Sequence, residues 1–172
     1  ALYKPADYVT TMSDPQKRPT VVDLVADVGE RVYPVGRLDY ESSGLLILTN
    51  DGDFAQKVQH PRFGIPKTYR VKISGRLSTQ EFKQIAAGIH LPDGPFKPEN
   101  LKIEKFNDKS TWLTLTLREG RNRIIRRGFE AFGRQVTRLV RLSIGPVGLA
   151  GLKEGQWRHL TGREVRQLTE TV

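Results

Sequence analysis

Cysteine is absent from the 172 residues, which removes disulfides, thiolate catalysis and cysteine-ligated metals from consideration. No apolar stretch approaches the roughly 20 residues that span a bilayer, and no signal peptide is visible, so a cytoplasmic protein is the default expectation. His60, His90 and His159 are scattered, without the i,i+4 pair that holds a metal on a helix. Acid is also scarce: 19 Asp and Glu stand against 28 Lys and Arg, a formal charge of +9. A surplus of that size points to a polyanionic partner, most simply nucleic acid. The chain lacks a phosphate-cradling glycine loop, which argues against a Mg²⁺-dependent phosphotransferase. The Asp51-Gly52-Asp53 spacing, usable by such an ion, reads better as a turn and helix cap.

Hydrophobic content of 37% and charged content of 27% suit an ordinary globular protein, and the length is ample for one core. No repeat, linker or domain boundary is visible, so residues 1–172 read as one domain. The first residues, Ala1 to Pro5, look like an interior strand without an initiating Met, which suggests a fragment that has lost an N-terminal piece.

Strands are predicted at Leu2–Pro5, Tyr8–Met12, Arg31–Val35, Leu45–Thr49, Lys67–Ile73, Leu101–Phe106, Trp112–Leu117 and Val136–Ile144. Lys67–Ile73 alternates cleanly, with Tyr69, Val71 and Ile73 on an apolar face and Arg70 and Lys72 on a basic one. Helices are predicted from Thr20 to about Ala26, over Asp53–Gln59, after the capping box Ser78-Thr79-Gln80-Glu81, and after Thr161-Gly162-Arg163-Glu164.

Two stretches carry chemistry. The first is Gly36-Arg37-Leu38-Asp39-Tyr40-Glu41-Ser42-Ser43-Gly44, a glycine-bounded loop pinned between two strands, where catalytic groups tend to sit. Its aspartate and serines also suit simple turn formation. The second runs from Arg118 to Arg134. On a helical wheel Ile124, Ile125, Gly128, Phe129 and Phe132 share one side, and Arg123, Arg126, Arg127 and Glu130 the other, with Asn122 as N-cap and Gly133 closing the helix. Arginine suits phosphates and base stacking through its planar fork. A solvated basic face, with Arg126 and Glu130 as an exposed i,i+4 pair, is the plainer reading.

Gly-Arg-Leu-Asp at 36–39, followed by Leu-Leu-Ile-Leu-Thr-Asn-Asp-Gly at 45–52, resembles the signature of the ribosomal RNA pseudouridine synthases of the RsuA/RluB type. Lys67-Thr68-Tyr69-Arg70-Val71 is similar to that family's second motif. Glu119–Arg123 with Ile125-Arg126-Arg127, then Arg138–Arg141 and Ile144-Gly145-Pro146, are similar to its third. Gly155–Thr161 resembles its closing segment. The order is right for all of them, and they span nearly the whole chain. Relatives usually carry Gln at the position of Ile124 and Met at that of Gly128, so RNA contacts beside Arg126 are expected to differ. Many relatives add a small N-terminal S4-type RNA-binding domain, absent from this chain.

The resemblance implies an α+β fold with a mixed, mainly antiparallel sheet, flanking helices and a cleft across its middle. It implies Asp39 as the essential carboxylate, Arg126 as its counter-ion, and Tyr69 stacked on a flipped-out uridine. Arg37, Lys67, Arg121, Arg123, Arg127 and Arg141 are expected on the RNA. The reaction is an isomerisation, so no cofactor or metal is implied. The expected partner is ribosomal RNA, as a hairpin loop or within a pre-ribosomal particle, for a monomeric enzyme. The large subunit is favoured because Lys-Pro-Ala-Asp-Tyr-Val at 4–9 looks closer to that branch. The alternative is a non-catalytic RNA-binding or ribosome-assembly module, which gives no reason for a carboxylate among arginines.

Overall fold

Alternation and short apolar runs become an eight-stranded mixed sheet in the computed structural model, which describes residues 1–170. Its central path joins β1 (Leu2–Lys4), β3 (Ser43–Thr49), β9 (Val136–Ile144), β4 (Lys67–Ser74), β8 (Ser110–Leu117) and β7 (Glu99–Phe106) in that spatial order. β2 (Tyr33–Val35) pairs with β3, and β10 (Val147–Gly148) with β9. Only the β3–β9 pairing is parallel within this sheet, through Ser43 opposite Val140 and Gly44 opposite Arg141. A small separate hairpin is formed by β5 (Ile89–Leu91) and β6 (Gly94–Phe96).

The helices are α1 (Val21–Leu24), α2 (Gly52–Gln59), α3 (Thr79–Ala87), α4 (Ile124–Glu130) and α5 (Gly162–Glu170). Their starts follow local chemistry. Asp51 accepts from the Phe54 amide at 3.1 Å, which makes it the cap of α2. Ser78 and Glu81 close a capping box on α3, and Thr161 and Glu164 do the same on α5.

The four apolar residues at 45–48 do not alternate because β3 is covered on both faces. Leu45 and Ile47 pack under Phe54, Val58 and Leu168 of α2 and α5, whereas Leu46 joins Leu2, Val21 and Val25 beside α1. Farther along the sheet, Tyr69, Val71, Ile73, Leu113 and Leu115 pack under Ile85 of α3 and Ile124, Ile125 and Phe129 of α4. α1 and α4 thus leave a gap on one face of the sheet, and the Asp39 loop occupies it.

Several expectations need correction. Residues 8–12 form no strand: Val9 makes only an isolated bridge to Thr20, because no neighbouring strand lies alongside to complete a ladder. The helix after Thr20 stops at Leu24 and continues only as a 3-10 turn, Ala26–Val28. Residues 89–96, where no strand is predicted, form the β5–β6 hairpin, whose strands are too short to show a period. α4 begins one residue later than its polar N-cap suggests, with Arg123 in the cap position, and ends at Glu130 before Gly133.

Candidate active site

The Asp39 loop is held by its backbone. Lys4 is completely buried, and its Nζ donates to the carbonyls of Ser42 (2.6 Å), Pro5 (3.0 Å), Asp39 (3.2 Å) and Tyr40 (3.4 Å). A buried ammonium needs partners of this kind, since desolvation without them is costly. Burial still lowers its pKa to about 8, against the pull of Asp7, Asp39 and Glu41. Leu38 is buried, and its amide and carbonyl both bond the Thr10 hydroxyl, at 3.3 and 2.8 Å. The Ser42 amide donates to the Asp39 carbonyl at 3.0 Å and closes a turn.

Downstream, Gly44 has φ +117°, and a Cβ there would lie 2.3 Å from the Arg141 carbonyl oxygen. Glycine is required because two backbones meet where β3 joins β9. These contacts fix Asp39 on rigid neighbours while leaving its side chain 24% exposed at the mouth of the gap.

Opposite the loop lies the start of α4. Arg123 adopts φ +51°, a left-handed conformation that costs a non-glycine residue roughly 1–3 kcal/mol and concentrates at functional sites. It directs Nη1 to Asp39 Oδ2 at 3.4 Å and to Glu41 Oε1 at 2.7 Å. Arg123, which the resemblance places on the RNA, is therefore the arginine in contact with Asp39.

Arg126 lies beneath, 7% exposed, so it does not share the solvent-facing side that the helical wheel predicts. Its Nη2 donates to Ser42 Oγ at 3.0 Å and its Nη1 to the Val136 carbonyl at 3.4 Å. Nε is buried without a hydrogen-bond partner among the described residues, 3.6 Å from Glu41 Oε1. Burial lowers the proton affinity of Arg126, with Glu41 and Asp39 opposing that trend, and a guanidinium stays charged throughout. Burial raises the Glu41 carboxyl, but its own backbone and the two arginines outweigh that and hold it below the usual range. Glu41, which the sequence reading passed over, is the acid that joins both arginines. Its spacing two residues after Asp39 was the available signal.

Tyr69, 7% exposed on β4, stands opposite Arg141 in register and faces the α4 side of the sheet. Lys67 lies on the same face of β4, and burial followed by the nearby Arg141 lowers its pKa. Arg37 is exposed at the start of the loop.

The remaining expected RNA ligands are engaged within the protein. Arg141 is 5% exposed and its Nε donates to the Leu45 carbonyl at 2.8 Å, so it ties β9 to β3 and is not a surface cation. Arg127 forms a two-pronged pair with Asp93 at 2.8 and 2.9 Å. Arg121 binds Glu119 at 2.8 and 2.9 Å and also reaches Asp93 and the Pro95 carbonyl. Both arginines clamp the β5–β6 hairpin to the start of α4. The two departures at 124 and 128 are likewise internal: Ile124 is 4% exposed, and a Cβ on Gly128 would lie 2.4 Å from the Phe96 ring. They concern packing against the hairpin, with no surface for RNA.

A partly exposed carboxylate fixed through its backbone, facing one reachable arginine and one buried one, can meet an electrophile that enters the gap. The family model described as RNA pseudouridylate synthase matches residues 1–131. An RNA pseudouridine synthase of Aquifex aeolicus, itself uncharacterized, is 44% identical over 99% of this chain and 69% of its own length. Ribosomal large subunit pseudouridine synthase B of Bacillus subtilis is 41% identical, covering 97% of this chain and 69% of that protein. The protein of the same name from Escherichia coli K12 is 37% identical over 100% of this chain, which spans 60% of that relative. A pseudouridylate synthase crystal structure superposes with a TM-score of 0.82 at 32% identity, over 97% of this chain and 71% of that one. By motif order, fold and similarity alike, the chain belongs to the RNA pseudouridylate synthase family, in its RsuA/RluB type.

Proposed function

We propose that this chain converts a uridine of large-subunit ribosomal RNA to pseudouridine, with Asp39 as the essential carboxylate. The reaction breaks the N1–C1′ bond and forms a C5–C1′ bond; the proton leaves C5 and N1 gains one, so no oxidant, reductant or group donor is consumed. Asp39 acts on a nucleotide drawn out of its strand, which costs least in an unpaired loop. Arg123, already paired with Asp39, orients that carboxylate and sets a positive charge beside it. Arg126 acts from below, holding Ser42 and thereby the turn that carries Asp39. Tyr69 supplies an aromatic face from the sheet for the extruded base. Arg37 and Lys67 are left to meet phosphates. The protein works as a monomer on a hairpin loop or pre-ribosomal particle in the cytoplasm.

The observation that carries this reading is the position of Asp39: a carboxylate whose backbone the buried Lys4 holds, 24% exposed and 3.4 Å from an arginine. A structural acid would be satisfied more fully. The test is Asp39→Asn on in-vitro-transcribed large-subunit rRNA, with pseudouridine read by carbodiimide-dependent primer extension. Turnover should fall by at least about 10³-fold while RNA binding changes less than about threefold. Equal turnover in variant and parent would remove Asp39 from the chemistry and leave an RNA-binding module.

A further inference from the structure

The basic face of β4 remains unused by the proposed reaction. Arg70 and Lys72 alternate with Tyr69, Val71 and Ile73, so they project from the side of the sheet opposite the Asp39 gap. Strand register extends that face. Arg138 of β9 stands opposite Lys72, Lys72 opposite Trp112 of β8, and Trp112 opposite Lys105 of β7. The four side chains make one row across four strands. Arg70 and Lys102 stand in the next row, on either side of Thr114.

Trp112 is the centre of this surface. The Arg70 guanidinium lies 4.6 Å from its ring centroid, Lys72 Nζ 5.6 Å, Lys105 Nζ 5.7 Å and Arg138 5.8 Å. The ring's negative face attracts each of these cations and steadies them without neutralising them. Arg70 has a carboxylate, Glu104, at 2.9 Å. Among the described residues Lys72, Lys105 and Arg138 have none within ion-pair range. Like charges directly across strands destabilise a sheet, so Arg138 opposite Lys72 disfavours folding. The Arg121, Arg127 and Arg134 guanidiniums, by contrast, are each matched by an acid.

We propose that this outer face, centred on Trp112 with Lys72, Lys105, Arg138 and Arg70, is a second RNA-contact surface that holds the phosphate backbone away from the reacting loop. With strands about 4.8 Å apart the row spans about 14 Å, the run of roughly four charges along one strand of a nucleic-acid helix. Positive charge fits the phosphates, and a single partner carboxylate leaves room for them. The inference rests on the reading of this chain as acting on ribosomal RNA, and it assigns part of that RNA's binding to a surface the chemistry does not touch.

The test compares two charge reversals of equal size. Lys105→Glu with Arg138→Glu alters two exposed residues of the row. Lys57→Glu with Lys83→Glu alters two exposed lysines on α2 and α3. Binding of in-vitro-transcribed large-subunit rRNA is measured by filter retention over a range of KCl concentrations. The outer-face variant should lower the slope of log affinity against log salt by about 2, and weaken binding about tenfold near 0.1 M salt. The control should change the slope by less than half as much. Pseudouridine formed per bound RNA at saturating protein should match the parent in the outer-face variant. Equal effects of the two double variants on binding would overturn the proposal, since only net charge would then matter. A parent that binds with this slope difference but forms no pseudouridine would refute the enzymatic reading and leave the surface standing.

Discussion

The two halves of the gap are built differently. The Asp39 half is fixed by neutral and cationic donors to backbone carbonyls, buried or half-buried: Lys4, Thr10 and the Ser42 amide. The α4 half is fixed by ion pairs among partly exposed side chains: Arg123 with Asp39 and Glu41, Arg127 and Arg121 with Asp93, Arg121 with Glu119. Buried backbone bonds respond little to salt, whereas exposed ion pairs are screened and contribute only about 0–1 kcal/mol each. The carboxylate therefore sits on a rigid floor, facing arginines whose ion pairs lie open to screening.

The contrast is most easily broken at Gly44. A side chain there has no room beside the Arg141 backbone, so Gly44→Ala should cost about 3 kcal/mol or more, read as a fall in the urea midpoint. Lys4→Met comes next. It strips the Ser42 and Asp39 carbonyls of their donor and should lower stability by about 2–4 kcal/mol at neutral pH. Because a shift of about 1 Å in a catalytic group can cost about 10²-fold, turnover should fall at least that far in the protein that remains folded.

Lys4 also gives the floor a pH signature. Its folded pKa of about 8 lies below the ordinary 10.5, so between those values the unfolded chain holds a proton that the native one has released. Stability of the parent relative to Lys4→Met should therefore rise from pH 8 to 10.5, by urea melts at each pH. A flat difference would show that the buried amine keeps its proton.

The α4 half should give smaller, salt-dependent effects. Asp93→Asn releases the paired arginines, so rRNA affinity should rise about two- to fivefold near 0.1 M salt and converge with the parent at high salt. Glu41→Gln should act most weakly on stability. The Glu41 carboxyl titrates below its usual range, so its contribution is complete above the unfolded pKa near 4.5 and vanishes as pH falls through the lower folded value. The difference in melting temperature between Glu41→Gln and the parent should accordingly shrink on acidification.

What could be read from the sequence follows the same division. Lys67–Ser74 alternates with one buried face, and the boxes at Ser78 and Thr161 bond as their spacing demands, because both are local. The Asp39 loop was also legible, since glycines and an apolar strand bound it. Lys4 was not, because a lysine ordinarily reads as surface. Its two-residue offset from the buried Leu2 was the one clue that it points inward. Arg126 was expected on the solvent side of α4, where it is not, because helical periodicity ranks residues by angle around an axis. It could not anticipate that α4 starts late, through a left-handed residue. The β5–β6 hairpin escaped notice for want of length, and with it went the partners of Arg121 and Arg127.

Gly44 also affects how a genetic screen of this protein would read. Random mutagenesis scored only by lost modification would return position 44 beside position 39, although the glycine offers the reaction no functional group. Scoring soluble yield alongside modification separates them: substitutions at 39 accumulate as well-behaved, inactive protein, and those at 44 disappear from the soluble fraction. The hydrogen at that Cα marks where two strands share one space, and its intolerance belongs to architecture.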